Sequence, residues 1–390
     1  MKILICTESY YPNISGGAVF SHNLAIEMVK KNHQVFVIAP SPKFSEFSEI
    51  VDNVTIYRLK SRVNKFREGY FISRSPFKKV PEIIDKLNPD VIHLQDPAMI
   101  SLAALRKARK LKIPVVVTNH FSLEYIVSYL PKLKIFHPLI LFFMTHYLNW
   151  FYNQCQVLTC PTQTVAKRFK GPITKVELQV ISNGVDLSRF IPYYGNSDSI
   201  RKRWKIPLLK PVILFVGRLD IDKNISLLIQ AIPLILNQVD AHFVLVGSGK
   251  EKNNLIKLVK KLNITQSTTF IDFIPYKEQW LPRIYQTSQI FINPCPMETQ
   301  SIVALEAQAT GLPLVVANSG ALKELVKEGV NGYKFDPKNK KDLAEKIIKI
   351  LTNKKLAQKM GEKSIEMVEG HLVENTHDRF EKIYQKLAKV

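Results

Sequence analysis

The chain has 390 residues, more than one hydrophobic core usually organises, so two domains are expected. Hydrophobic residues at 46% and charged residues at 23% exclude a disordered chain, and 15 glycines exclude collagen-like and low-complexity classes. The net charge of +22 is spread evenly, with 24 basic against 12 acidic residues in 1–185; it suits an anionic partner (nucleic acid, anionic lipid or a phosphorylated substrate) unless it reflects a Lys-rich composition.

The start, MKILICTESYYP, is too short an apolar run for a signal peptide and reads as a buried first strand. Further strands are expected at Gln34–Ala39, Thr55–Leu59, Val91–Leu94, Val115–Asn119 and Gln156–Cys160. Amphipathic helices at Ala18–Lys31, Val80–Leu87 and Ser101–Lys110 lie between them. Residues 135–166 carry no Asp, Glu, Lys or Arg, but Pro138, His146 and Asn149 interrupt the run, so a helix near 139–153 is expected rather than a membrane span. A polar stretch, 183–210, reads as a linker. The strand theme restarts with Val212–Val216, Ala241–Val246, Thr269–Phe273, Ile290–Asn293, Leu314–Ala317 and Gly332–Phe335, and the tail is helical.

Alternating Val/Ile-rich strands and helices imply parallel sheets covered on both faces. The expected organisation is an α/β chain of two Rossmann-like doubly wound domains facing across a cleft. The first spans 1–182 and the second 211–365, and a C-terminal helix at 366–390 packs back toward the first. Cys6, Cys155, Cys160 and Cys295 form no C-x2-C pair, which argues against a disulfide scaffold or structural zinc and fits a reducing cytosol.

Three segments carry residues suited to chemistry. After the first strand, Gly16-Gly17 precede a helix, where backbone N–H groups can meet an anion or simply form a strand–helix turn. The strand Val212–Val216 ends in Gly217, with Arg218 and Lys223 beyond it, a fork and a point charge for phosphate oxygens, or a solvated basic loop. The strand ending at Pro294 leads to Glu298 and a helix starting near Ser301, with Gly311 as its cap and Pro313 preventing continuation. The N–H groups of Gln300, Ser301 and Ile302 would form an anion site there. Glu306 lies among apolar neighbours, a costly setting for a carboxylate without partners.

The Glu298-x7-Glu306 spacing followed by Ala-Gln-Ala-Thr-Gly-Leu-Pro resembles the E-x7-E signature of retaining GT-B glycosyltransferases of family 4. The likeness extends to Gly16-Gly17, Val91-Ile-His-Leu-Gln, Thr118-Asn-His120, Asn183-Gly-Val-Asp186, Val216-Gly-Arg-Leu, Leu245-Val-Gly-Ser-Gly249 and Asn331-Gly332. It implies a GT-B fold. It also implies that Arg218 and Lys223 hold a nucleotide diphosphate, Glu298 contacts donor-sugar hydroxyls, Glu306 binds the ribose and His120 stands at the reaction centre. Gly16 and Gly17 would close over the phosphates, and His93 is a weaker candidate. Departures are Gln300-Ser301, where relatives often carry an aromatic–glycine pair, and Asp272, where Gly is common.

Glu298-Thr-Gln resembles the subgroup that glucosylates diacylglycerol. Lys60, Arg62, Lys65, Arg67, Arg74, Lys78 and Lys79, interleaved with Phe66, Tyr70, Phe71 and Phe77, fit an anionic lipid surface, with Lys132 and Lys134 beside the apolar stretch. A disordered basic loop and a buried helix would fit the same residues. The expected function is retaining transfer of a hexose, with glucose from a UDP-sugar foremost, to a lipid such as 1,2-diacylglycerol. The enzyme would be cytoplasmic and peripherally associated with the inner face of the cell membrane. A mannosyl- or hexosyltransferase acting on phosphatidylinositol or on a soluble or cell-wall glycan is the alternative, and a sugar-nucleotide epimerase or a basic nucleic-acid-binding protein ranks lower. The nucleotide-sugar is a substrate, so no cofactor is expected, and no DxD-like metal motif is evident. No nucleic-acid partner is expected, because zinc fingers and RNP-like aromatic clusters are lacking.

Overall fold

The computed structural model describes residues 1–389 apart from 14, 65–69, 121, 124–126, 128–130, 170, 172–175 and 277. The chain forms two compact units, Met1–Asn183 with Glu374–Val390, and Gly184–Val373.

The first unit runs β1 (Lys2–Cys6), α1 (Gly16–Lys30), β2 (Gln34–Pro40), β3 (Phe47–Val51), β4 (Val54–Leu59), β5 (Ser61–Val63), β6 (Phe71–Ser73), α2 (Pro76–Leu87), β7 (Val91–Leu94), α3 (Met99–Leu111), β8 (Val115–Thr118), α4 (His137–Tyr152), β9 (Val157–Cys160), α5 (Gln163–Phe169) and β10 (Glu177–Val180). Its main sheet has the order β10-β9-β8-β7-β1-β2-β4-β3, with every pairing parallel except the antiparallel edge strand β3. Side chains alternate between faces, as strand geometry requires. Leu4, Cys6, Ile92 and Leu94 face a core built with Val80, Ile84, Ala104 and Phe151. Ile3, Ile5 and Val91 face the other, with Phe20, Leu24 and Met28 of α1.

The second unit runs α6 (Asp198–Arg203), β11 (Val212–Val216), α7 (Ile225–Leu236), β12 (His242–Val246), α8 (Lys252–Lys261), β13 (Thr268–Ile271), α9 (Trp280–Gln286), β14 (Ile290–Asn293), α10 (Ile302–Ala309), β15 (Leu314–Ala317), α11 (Leu322–Leu325), β16 (Gly332–Phe335), α12 (Lys340–Leu351) and α13 (Lys354–Val368). Its all-parallel sheet has the order β13-β12-β11-β14-β15-β16. That is the doubly wound order 3-2-1-4-5-6, whose strand sequence reverses between β11 and β14.

Two boundaries differ from expectation. Residues 184–210 belong to the second unit rather than to a free linker: Val185, Phe190, Ile200 and Ile206 are buried in its core. At the other end α13 continues to Val368 within the second unit, and the last helix, α14 (Val373–Ala388), starts later than residue 366. Phe380, Ile383 and Tyr384, spaced to share one helical face, bury that face in the first unit's core.

Candidate active site

Ligands of open parallel sheets bind beyond the carboxyl ends of the strands where the order reverses. In the second unit that point lies beyond β11 and β14, and the residues following those strands are Gly217–Lys223 and Pro294–Glu298. Topology alone therefore brings together the cations and the first glutamate singled out in the sequence. The approach of backbone to backbone there is close. A Cβ on Gly247, at φ +145°, would lie 1.9 Å from the Gly217 carbonyl oxygen, so only glycine fits.

Lys223 Nζ donates to Glu298 Oε1 at 2.6 Å and lies 3.9 Å from Asp222 Oδ2. Arg218 Nη2 donates to Asp222 Oδ2 at 2.9 Å, and its Nη1 pairs with Asp220. Two cations thus meet three carboxylates. Asp220 and Asp222 were not singled out in the sequence, although Arg-Leu-Asp-Ile-Asp-Lys displays them. Burial works against charge on Lys223, but its acidic neighbours, Glu298 and Asp222 among them, more than offset it, so its pKa is raised and it stays an ammonium. Cys295, 3.8 Å from Nζ, stays a thiol because burial pushes it up to about 12. Asn293 Nδ2 donates to Ser301 Oγ at 2.9 Å and reaches Glu298 Oε1 at 3.4 Å, tying the loop to the end of β14.

Ser301 is the N-cap of α10, its Oγ accepting from Ala304 N at 3.3 Å. Its φ of +92° is glycine territory, which gives a physical reason why a glycine suits this position. Gln300 is fully buried, and Ile302 opens the helix. Glu306, one turn further, is 2% exposed, and Tyr285 Oη donates to its Oε2 at 2.5 Å. Burial raises the Glu306 carboxyl to about 7, against the Tyr285 hydrogen bond and the Arg189 charge. Tyr285 had no signal in the sequence, being 21 residues from its partner.

In the first unit Ser15 caps α1, its Oγ accepting from Ala18 N, and Gly16 and Gly17 form the first turn. Gly17 lies against the His120 ring, where a Cβ would sit 3.6 Å from Cγ. His120 follows β8, packs 4.9 Å from the Phe20 ring and shares a hydrogen bond with Gln95 Oε1 at 2.8 Å. Burial lowers its pKa to about 4, so the ring is neutral. His93 is wholly buried and bonded on both nitrogens, to Tyr384 Oη and Thr118 Oγ1, so it sits inside the unit rather than at its surface.

Of the basic segment, Arg62 and Arg74 are exposed at the β5–β6 hairpin. Tyr70 is 7% exposed, so its ring is turned inward and is not an anchor offered to a surface; Asn64 N donates to its carbonyl and closes the hairpin. Lys65, Phe66 and Arg67 lie outside the described residues. The charge-free stretch is helical, as expected, yet only partly buried: Leu139, Phe142 and Phe143 of α4 are 54–62% exposed. No helix among the described residues is long and apolar enough to cross a membrane, and none of their His, Cys, Asp and Glu side chains form a group of three that could hold a metal.

The Glycosyltransferase Family 4 model matches residues 14–189 and the Glycosyl transferases group 1 model matches 196–367. An uncharacterized glycosyltransferase of Methanocaldococcus jannaschii is 31% identical over 364 residues, covering 90% of each chain. The alpha-monoglucosyldiacylglycerol synthase of Streptococcus pneumoniae is 27% identical, covering 90% of this chain and 78% of its own. Among solved structures, Anabaena Alr3699/HepE in complex with UDP-glucose superposes with a TM-score of 0.77 at 16% identity, over 99% of this chain and 100% of that one. The chain belongs to the GT-B group 1 glycosyltransferases, with a family 4 N-terminal domain.

Proposed function

We propose that this glycosyltransferase moves a hexose, glucose foremost, from a nucleoside-diphosphate sugar such as UDP-glucose to a lipid acceptor such as 1,2-diacylglycerol at a membrane surface, with retention of anomeric configuration. The observation that carries the donor half is the Lys223–Glu298 pair at the strand-order reversal of the second unit, with Arg218 beside it and Glu306 on the following helix. The lipid half is supported by the Glu298-Thr-Gln string, by the Streptococcus pneumoniae relative and by the exposed apolar side chains of α4 with exposed Lys134 next to them.

Cleavage of the sugar–phosphate bond builds positive charge on the anomeric carbon and negative charge on the departing diphosphate. Arg218, Lys223 and the α10 N-terminus stabilise that negative charge where it develops. Arg218 pairs through Nη1 with Asp220 and through Nη2 with Asp222, which fix the plane of its fork. Glu298 accepts from sugar hydroxyls and orients the ring, and Glu306 accepts from the ribose diol. His120 contacts the transferred sugar. Neither glutamate is assigned as a nucleophile. The acceptor hydroxyl attacks from the face the diphosphate leaves, the C1–O(phosphate) bond breaks as the C1–O(acceptor) bond forms, and the proton passes to a phosphate oxygen of the leaving group. The cations supply the charge that a divalent metal supplies elsewhere, and the reading assigns no metal and no cofactor.

A donor-by-acceptor screen with mixed anionic liposomes tests it, scored by nucleoside diphosphate release and product anomer. Transfer to diacylglycerol with an α product supports the reading; activity only on phosphatidylinositol or on water-soluble glycans replaces its acceptor half.

A further inference from the structure

We propose that Tyr384, acting through His93 and Gln95, fixes His120 as the tautomer with its proton on Nε2, leaving Nδ1 as the accepting nitrogen. The catalytic consequence rests on the reading of His120 as a sugar-contacting group; the proton assignment does not.

The assignment starts from one hydroxyl. Tyr384 lies on α14, wholly buried, and among the described residues its one hydrogen-bond partner is His93 Nδ1, at 2.6 Å. Burial holds the phenol well above its usual range, so it keeps its proton. A buried O–H needs an acceptor, so Tyr384 donates and His93 Nδ1 accepts. His93 is neutral, since burial, with the nearby His120, lowers it to about 3. Its single proton is therefore on Nε2, which donates to Thr118 Oγ1 at 2.7 Å. Thr118 in turn donates to Thr159 Oγ1 at 2.6 Å, and Thr159 reaches the Val117 carbonyl at 3.5 Å, so every proton along this branch has an acceptor.

The other branch runs toward His120. The Gln95 amide lies 3.2 Å from the same His93 Nδ1. Because that nitrogen is an acceptor, the amide must present its NH2 group; its oxygen would face a lone pair. The Gln95 oxygen is then turned to His120 Nε2, 2.8 Å away, and accepts from it. Neutral His120 has one ring proton, now spent on Gln95, so Nδ1 accepts. An accepting nitrogen matches a sugar hydroxyl and repels a phosphate oxygen. The ring plane is held by Phe20 and Gly17 at its sides. Tyr384 and His93 are 291 residues apart in sequence, and Tyr384 carries no motif, whereas Gln95 closes the Val91-Ile-His-Leu-Gln segment. In this arrangement Tyr384, His93 and Gln95 are positioning residues.

The test is side-chain 15N NMR of the full chain, with steady-state kinetics on wild type, Tyr384→Phe and Gln95→Leu. Wild-type His120 is expected as the neutral Nε2–H form. Either variant is expected to give a mixture of tautomers, with kcat reduced about tenfold and the donor KM within about twofold. The two changes lie on different elements, so a folding failure of one leaves the other informative. An Nδ1–H His120 in wild type, or an unaltered tautomer in the folded variants, overturns the assignment. A changed tautomer with unchanged kcat keeps the assignment and removes His120 from the reaction centre.

Discussion

Lys223 Nζ lies 2.6 Å from Glu298 Oε1, although 75 residues separate them and they follow different strands of the second unit. The doubly wound order is the cause. β11 and β14 are neighbours where the order reverses, and each sends its following loop to the same edge. A cation suited to diphosphate and a carboxylate suited to hydroxyls are thereby placed side by side by the fold itself, the kind of preorganisation electrostatic catalysis requires.

Arg218 is expected to serve stability as well as binding. Its partner Asp222 has a side chain only 2% exposed, so Arg218→Ala deprives a buried carboxylate of its 2.9 Å ion pair, while Lys223 stays 3.9 Å away. Urea unfolding is expected to show a loss of about 3 kcal/mol, the scale of a broken buried pair, and Arg218→Ala with Asp222→Asn to recover most of it. Transfer activity is expected to stay low in both, because the fork proposed to meet the phosphates is gone.

Glu306 gives a pH signature. Its pKa is raised from 4.5 to about 7 by burial, so the folded state holds its proton more tightly than the unfolded one. The contribution of this group to stability is fully present below pH 4.5 and lost as pH rises toward 7, about 3 kcal/mol in all. Unfolding curves of wild type and Glu306→Gln measured from pH 5 to 8 should diverge in that direction, the variant gaining relative stability at high pH. If the carboxylate accepts from the ribose, the wild-type donor KM falls over the same interval while that of Glu306→Gln stays flat.

Gly247 tests the packing that positions the Arg218 loop. An added Cβ meets the Gly217 carbonyl, and the φ of +145° is itself unfavourable for other residues. Gly247→Ala is expected to destabilise by about 1–3 kcal/mol from backbone strain alone. It should also weaken nucleotide affinity by moving Gly217 and Arg218. Denaturant midpoints and UDP titration check the two effects separately.

Chelation provides a test of the charge argument. With Arg218 and Lys223 supplying the positive field, EDTA is expected to leave the transfer rate within about twofold. An abolished rate, restored by added magnesium or manganese, would show that the cations do not suffice.

How much of this was legible in the sequence depends on whether a feature is local. Strands buried on both faces, such as VILFV at 212–216 and LVVA at 314–317, announce themselves as unbroken apolar runs, and the structure ends them at the expected residues. β3 reads FSEIV, half exposed at a sheet edge, and gave no such run. The Glu298-x7-Glu306 spacing and the Arg218/Lys223 pair were visible because each lies within one strand–loop–helix segment. The groups that tune them were not: Tyr285 reaches Glu306 from another helix, and Tyr384 reaches His93 from the far end of the chain. The polar look of 183–210 suggested a linker because its buried side chains, Val185, Phe190, Ile200 and Ile206, are too widely spaced to form a periodic pattern.

The most direct measurement of the central claim is calorimetric titration of UDP into wild type, Lys223→Met and Glu298→Gln, read beside sugar-transfer rates of the same samples. The account predicts that Lys223→Met weakens UDP at least about tenfold, that Glu298→Gln leaves UDP affinity within about twofold, and that both lose transfer by about a hundredfold or more. Wild-type UDP affinity in Lys223→Met, or wild-type transfer in a folded Glu298→Gln, would contradict it.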